Sequence, residues 1–556
     1  MSAMRQAILL LVALLSGLIA TVPAVAADGI QRAPAAAGHT GLLVLGADGR
    51  TFLRHDRYLP AGGFPAAQAH ASKPTPAVRF AQARAAATHP PTVTGALSQL
   101  KAHGTITSTS YSQYRSAFLA SQHTLKKLSG QRHTELAAVL ANIQAIASSG
   151  GFIPTRLPAL FLTLERNRQW WSTGPLLSYG QRVSFPGSRI VWEYYPGQGV
   201  EIQWLGTFGE ANGYFLAGNQ NTALKDLLGE VIGLASSRAG GIAWEYMFQF
   251  DGGLPPWTSG LSQGTALQVL TRAWSRFGEQ SYLTAAQQAL GIFKTAPPSG
   301  VRVATAAGAE YAEYTYAPSD RILNGFIQSL VGLYDYTELT KDPLGEQLFQ
   351  AGDAEARAEV PHYDTGGWSK YDQHSESDLN YHELLAEFLL HLCQRTKKGP
   401  PLPVLTPTPT PTPAPTPPAP VSPSGGSPPA GTSNPPAQAA SSHHPTPIPG
   451  DEIYCTTAEN FQEDLHTPPV IALLTQKLRT GSHAGVQFSL SKVSSVKLVV
   501  SRNGRAVWSN SATVEGGKPR LLWITPAKGG EYSVSLHAVD LAGNSATVEG
   551  KITLAH

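Results

Sequence analysis

Cysteine is almost missing: Cys393 and Cys455 stand alone among 556 residues. Two thiols make no disulfide framework. They can form one bridge in an oxidising compartment or stay reduced, and they flank a long proline-rich stretch. Charge is scarce as well, at 14% of residues with a net of +3. Such a balance permits an acidic ligand without demanding one, and no nucleic-acid partner is expected. Also missing are a Walker loop, a Gly-x-Gly-x-x-Gly after a strand, and any Cys/His cluster with metal spacing. "HELLA" at His382 lacks the second histidine of a zinc protease motif. Nucleotide, nicotinamide and zinc chemistry are therefore not expected, and neither is a cofactor.

Long apolar runs are confined to the start. Arg5 precedes "AILLLVALLSGLIATV", which ends in "AVA" at residues 24–26. A basic start, a short apolar core and an A-x-A end predict a secretory signal over residues 1–26 and a secreted or cell-surface protein. No later stretch is long and apolar enough to span a bilayer.

What is present divides the chain. Residues 27–97 read as an N-terminal hairpin and tether. "LLVLGADGRTFLRHD" alternates apolar residues around Asp-Gly, and an Ala/Pro/His-rich run follows. Residues 98–395 read as one domain, opening with helices of three- and four-residue apolar spacing. A β-rich stretch over 178–206 interrupts them, full of aromatic and β-branched residues broken by Pro-Gly. Further helices run to Cys393, joined by alternately short and long connections. That alternation predicts helix hairpins stacked as an α/α toroid, preceded by β-structure, with its long loops around one cleft. Residues 396–450 are a Pro/Thr/Ser linker, stiff and polyproline-like. After 451 the period changes to two with Asn-Gly and Gly-Asn turns, predicting a C-terminal all-β sandwich. "AVDLAGNSA" resembles the closing hairpin of bacterial Ig-like modules, which implies a contact with a cell wall or surface.

Chemistry concentrates where tyrosines do. "EYAEYTYAPSDRILNGF" (residues 310–326) sets phenols and carboxylates ahead of a helix that Ser319 or Asp320 is placed to cap. In "GGWSKYDQHSESDLNYHELL" (residues 366–385), Ser377 or Asp378 caps a helix whose first turn carries Tyr381. A phenol there is near unpaired N–H groups and the positive end of the helix dipole, so its pKa is expected to fall below 10. The competing reading makes Tyr381 an apolar lid on the helix. Tyr371 lies ten residues earlier in a Gly-rich loop; Tyr314 and Glu313 lie on another.

"GGLPPWTSGLSQGTALQVLTRAW" (252–274), "EYTYAPSDRILNGFIQSLVGLYDY" (313–336) and "YDTGGWSKYD…NYHELL" (363–385) occur in that order. Together they resemble the C-terminal catalytic domain of D-glucuronyl C5-epimerases, enzymes of heparan-type polysaccharides. "YYPGQGVEIQWLGTFGEANGYF" (194–215) resembles bacterial members. The resemblance implies an isomerase that turns D-glucuronate into L-iduronate within an acidic polysaccharide. It places catalytic groups at Glu313, Tyr314, Tyr371 and Tyr381. It places substrate contacts at Trp257, Gln263, Arg321, Asn324, Lys370, His374 and His382. The animal enzymes carry an arginine in a Tyr-Asp-Leu-Arg-His run where this chain has "YDQH"; Lys370, His374 or Arg321 would then hold the substrate carboxylate. A lyase or hydrolase acting on uronates, and a non-catalytic polysaccharide-binding protein, are the alternative readings.

Overall fold

The computed structural model describes residues 41–46, 48–59, 90–397 and 452–555. The predicted signal, the tether and the linker lie outside the described residues. In chain order come β1 (Gly41–Leu45), β2 (Thr51–His55), α1 (Val93–Ala102), α2 (Ser108–Leu125), α3 (Gly130–Ser148) and α4 (Leu157–Thr173). Then follow β3 (Arg182–Ser184), β4 (Trp192–Tyr195), β5 (Gly199–Ile202), α5 (Trp204–Ala217), α6 (Asn221–Ile232) and the hairpin β6 (Ser236–Arg238) and β7 (Gly241–Ala243). Next are α7 (Gly260–Phe277), α8 (Gln280–Lys294), the hairpin β8 (Arg302–Ala304) and β9 (Ala309–Tyr311), α9 (Leu323–Thr340) and α10 (Pro343–Glu359). A 3-10 turn (Val360–Tyr363) leads towards α11 (Leu379–Thr396).

The N-terminal hairpin is not a separate piece, as the sequence suggests. β1 pairs with β2 on one side and runs parallel to β3 on the other, giving a five-stranded sheet ordered β2-β1-β3-β4-β5. Its apolar side chains explain the pairing. Leu42, Val44 and Leu45 are all buried, whereas Phe52 and Leu53 on the edge strand are exposed. The helical part also begins earlier than residue 98, at Val93, where the Thr92 side chain accepts the Gly95 amide.

α7 and α9 form the centre of the helical part. Both are buried through most of their length, while α8 and α10 bury one face each. The two inner helices cross where Gly264 meets Gly332: a methyl on Gly332 would collide with the Gly264 carbonyl, so only glycine lets the backbones touch. The predicted side-chain cap for α9 is absent. The helix starts at Leu323 after an extended Ile322, three residues beyond Asp320, because the Arg321 backbone is held by Gln373 instead. Among the described residues, no helix is long and apolar enough to cross a membrane.

The last segment departs from the predicted boundary at 451. Residues 452–464 form α12 (Glu452–Asp464), whose Tyr454, Ala458 and Phe461 join the main helical core. A Cys393–Cys455 disulfide ties it to α11. Then come β10 (Ile471–Leu473), β11 (Lys477–Arg479), β12 (His483–Leu490), β13 (Ser494–Arg502), β14 (Arg505–Val514), β15 (Arg520–Ile524), β16 (Gly530–Asp540) and β17 (Ser545–Ala555). They make a three-stranded sheet, β10-β12-β15, and a five-stranded one, β11-β17-β16-β13-β14. Alternate residues of both sheets, among them Val486, Phe488, Leu498, Trp523 and Leu536, share one separate core.

Candidate active site

The site is built where the chain segment after β9 meets the start of α7. The Gly260 amide faces the carbonyls of Ala312 (3.1 Å) and Glu313 (3.2 Å), and Thr315 and Thr258 exchange bonds of 3.1 Å. This pairing pins Glu313 against the N-terminus of α7. The Ser259 hydroxyl, itself the helix cap, donates to Glu313 Oε1 at 2.8 Å. Glu313 Oε2 has no hydrogen-bond partner and lies over Gly325, where a methyl would collide with it. Burial raises the Glu313 carboxyl to about 8, against the lowering by Ser259 and the Leu261 amide. The side chain therefore holds its proton at neutral pH.

Three phenols gather beside that carboxyl. Tyr314 stacks on Tyr316 (centroids 5.3 Å, 16°) and meets Trp257 edge-on at 5.7 Å. Trp257 is fixed in turn by Tyr246, stacked at 4.3 Å, and by the Phe248 carbonyl, which accepts its indole N–H at 2.8 Å. Tyr371 and Tyr381 come from the loop and helix on the other side. Their rings meet edge-to-face at 4.9 Å, and the Tyr371 and Tyr314 hydroxyls share a hydrogen bond. Glu313 acts electrostatically on all three phenols. Loops separated by more than fifty residues thus deliver Glu313, Tyr314, Tyr371 and Tyr381 to one place.

The expected lowering of the Tyr381 pKa is overturned. Asp378 does cap α11, its Oδ1 accepting the Tyr381 amide at 2.9 Å. Burial nevertheless drives the phenol well above its ordinary value, helped by Tyr371 and by the Asp378 carboxylate. The cap that starts the helix also sets a negative charge beside the hydroxyl. Burial is likewise the main cause raising Tyr314 and Tyr371.

The predicted substrate contacts divide. Trp257 packs directly on Tyr314, and the buried Asn324, next to Gly325, keeps its Nδ2 without a hydrogen-bond partner. The others stand in different surroundings. Gln263 is fully buried and bonds the Trp244 carbonyl at 3.0 Å. The Arg321 guanidinium is taken up by Glu310 (2.6 Å), Glu359 (2.9 Å) and Glu355, so its charge is already balanced. Lys370 is half-buried in the loop, its amide bonded to the Tyr363 carbonyl, and His374 is exposed at the loop tip. His382 is fully buried elsewhere: it stacks on Trp368 at 3.7 Å, accepts the Ser369 amide at Nδ1 and donates from Nε2 to the Phe461 carbonyl at 2.9 Å. Burial lowers it to about 3, which keeps it neutral and structural.

Sequence reasoning missed a second group. Tyr195 contacts Tyr179 edge-on at 5.9 Å, accepts from Gln203 at 3.2 Å, and feels both Glu193 and Tyr246. Tyr179 in turn is among the groups acting on Tyr381. Glu193 is buried against Arg182 at 3.0 Å. Glu193 and Tyr195 are two apart on β4 and so share a face; strand alternation in "WEYY" was the available signal. Among the described residues, no group of three or more His, Cys, Asp or Glu side chains is placed to hold a metal ion.

Residues 239–400 match the family described as D-glucuronyl C5-epimerase C-terminus. The D-glucuronyl C5-epimerase of Caenorhabditis elegans is 37% identical over 133 residues, 21% of this chain and 22% of that protein. An uncharacterized protein of Methanocaldococcus jannaschii is 28% identical over 138 residues, 24% of this chain and 45% of that one. The chain thus spans less than half the length of these curated relatives. A crystal structure of an engineered protein aligns at 19% identity over 20% of this chain and 29% of that one, with a TM-score of 0.14 that carries no argument. Glu313, Tyr314, Tyr371 and Tyr381 all fall inside the matched residues, so the segment that carries them is similar to the D-glucuronyl C5-epimerase C-terminus.

Proposed function

We propose that this chain is a secreted uronyl C5-epimerase on an α/α-toroid frame, inverting C5 of D-glucuronate within a polysaccharide to give L-iduronate. The observation that carries the reading is the meeting of one protonated carboxyl and three hydrogen-bonded or touching phenols within the family segment. Epimerisation needs a base on one face of the sugar ring and an acid on the other. One phenol, in its minor phenolate form, takes the C5 proton while the C–H electron pair moves into the adjacent carboxylate as an enediolate; a neutral O–H on the opposite face then protonates C5, and proton transfer between the two groups restores the starting state. Neutral O–H donors suit that developing charge better than in water, because the site is buried. Tyr381 and the Glu313–Tyr314 pair would stand on opposite faces, with Tyr371 passing protons between them. The C-terminal sheets are proposed to be an Ig-like module for cell-wall or surface contact.

The test is incubation of the full chain with a panel of glucuronate polymers in deuterated water. The expected result is deuterium at C5 and iduronate in an uncut chain. An unsaturated uronate absorbing in the ultraviolet would make it a lyase, and binding without exchange would make it a polysaccharide-binding protein.

A further inference from the structure

Residues 364–378 form a small hairpin with Tyr371 near its tip. The Lys370 amide bonds the Tyr363 carbonyl (2.8 Å), Ser377 bonds Ser369 (2.9 Å), and Tyr371 bonds Ser375 (2.9 Å). Asp372 closes the tip by accepting the amides of His374 and Ser375, each at 2.8 Å. The Leu323 amide, 3.4 Å from the Tyr371 carbonyl, and Gln373 link this tip by hydrogen bonds to the start of α9. The base of the hairpin is held from outside the epimerase-like segment. The Gly516 amide, between β14 and β15, donates to Glu376 Oε2 at 2.8 Å. Gly367 packs against the Ser491 carbonyl so closely that a methyl would lie 2.9 Å from it. Lys492, fully buried, sits 5.4 Å above the Trp368 ring, donates to the Asp464 and Thr467 carbonyls at 2.6 Å, and pairs with Asp540 at 3.2 Å. On the α12 side, Asn460 donates to Asp364 at 3.2 Å, and Phe461 receives His382.

We propose that Glu376 is a positioning residue through which the C-terminal sheets hold the hairpin that presents Tyr371. The β-module is then part of the catalytic apparatus and not only a spacer. Two features point this way. Glu376 is the residue paired across the hairpin from Lys370, one position before Tyr371, so a shift at 376 moves Tyr371 directly. The carboxylate reaches out of its own segment to a backbone amide 140 residues away, while its other oxygen stands 3.5 Å from Thr365 at the hairpin base. The proposal rests on the reading of Tyr371 as an acid–base group.

The experiment measures backbone hydrogen exchange of the full chain beside turnover in deuterated water, for the wild type, Glu376→Ala, Glu376→Gln and Gly367→Ala. In Glu376→Ala, peptides covering 364–378 should exchange at least about tenfold faster while those of α7 and α9 keep wild-type rates. Its kcat should fall about tenfold with KM unchanged, as misplacement of one reacting group requires. Glu376→Gln, whose amide oxygen still accepts from Gly516, should restore both. Gly367→Ala, which pushes the two parts apart without touching Glu376, should reproduce the faster exchange if Glu376→Ala fails to fold. Wild-type exchange rates in both alanine variants, or faster exchange with unaltered kcat, would overturn the proposal. If the hairpin loosens as expected but the wild type turns over no uronate polymer, the brace stands and the functional reading falls.

Discussion

Glu313 carries a charge cost that can be weighed. Burial lifts its carboxyl from the ordinary 4.5 to about 8. At about 1.4 kcal/mol per pH unit, keeping it ionised in the fold costs about 5 kcal/mol more than in the open chain. Below pH 4.5 folded and unfolded chains both hold the proton, and stability is complete. Between 4.5 and about 8 the unfolded chain loses the proton while the fold keeps it, so the native state binds more protons and stability falls as pH rises. At pH 7 about 3 kcal/mol has been lost. Glu313→Gln keeps the shape and the acceptor for Ser259 but never ionises. Other raised carboxyls, Glu310 at about 7 and Glu210 at about 8, are present in both proteins and cancel in the difference. Urea unfolding followed by tryptophan fluorescence, at half-unit steps from pH 5 to 8.5, should show wild type losing about 1.4 kcal/mol per unit relative to the variant, then levelling above 8. A difference independent of pH would refute the claim that this carboxyl is held neutral.

Tyr381→Phe and Tyr371→Phe should each lower C5 deuterium incorporation about 10²- to 10⁴-fold with little change in melting temperature, since the rings and their contact remain. Replacing Cys393 and Cys455 by serine opens a link spanning 62 residues, for which chain entropy gives about 4 kcal/mol, read as a shift of the urea midpoint of the unit containing α11 and α12. Lys492→Met leaves Asp540 and two carbonyls buried without their cation and should cost about 3–5 kcal/mol, whereas Lys492→Met with Asp540→Leu should recover much of it in a double-mutant cycle.

The helices were largely legible because their signal is local. Apolar spacing marks α3, α8 and α11, and Asp378 announces the start of α11 within three residues of Tyr381. The gathering of Glu313 with the three phenols was legible only through resemblance to a family, since no periodicity brings residue 313 to residue 381. What stayed hidden was settled by partners far along the chain. Arg321 looks free in sequence, but Glu355 and Glu359 lie 34 and 38 residues on and neutralise it. His382 looks poised at a helix start, yet Phe461, 79 residues away, takes its ring N–H. The rise in the Tyr381 pKa was hidden for the same reason: desolvation comes from packing, which a helix-end argument omits.

The hairpin at the front of the chain has one further consequence. Leu42–Val44 zips onto Arg182–Ser184, so β3 has a neighbour on each side. A shortened protein begun at residue 90 would leave that strand with a bare row of amides and carbonyls above an apolar layer. Such a rim invites pairing with another copy, so trimming this stretch should make the remainder stick to itself even where Glu313, Tyr314, Tyr371 and Tyr381 are all kept.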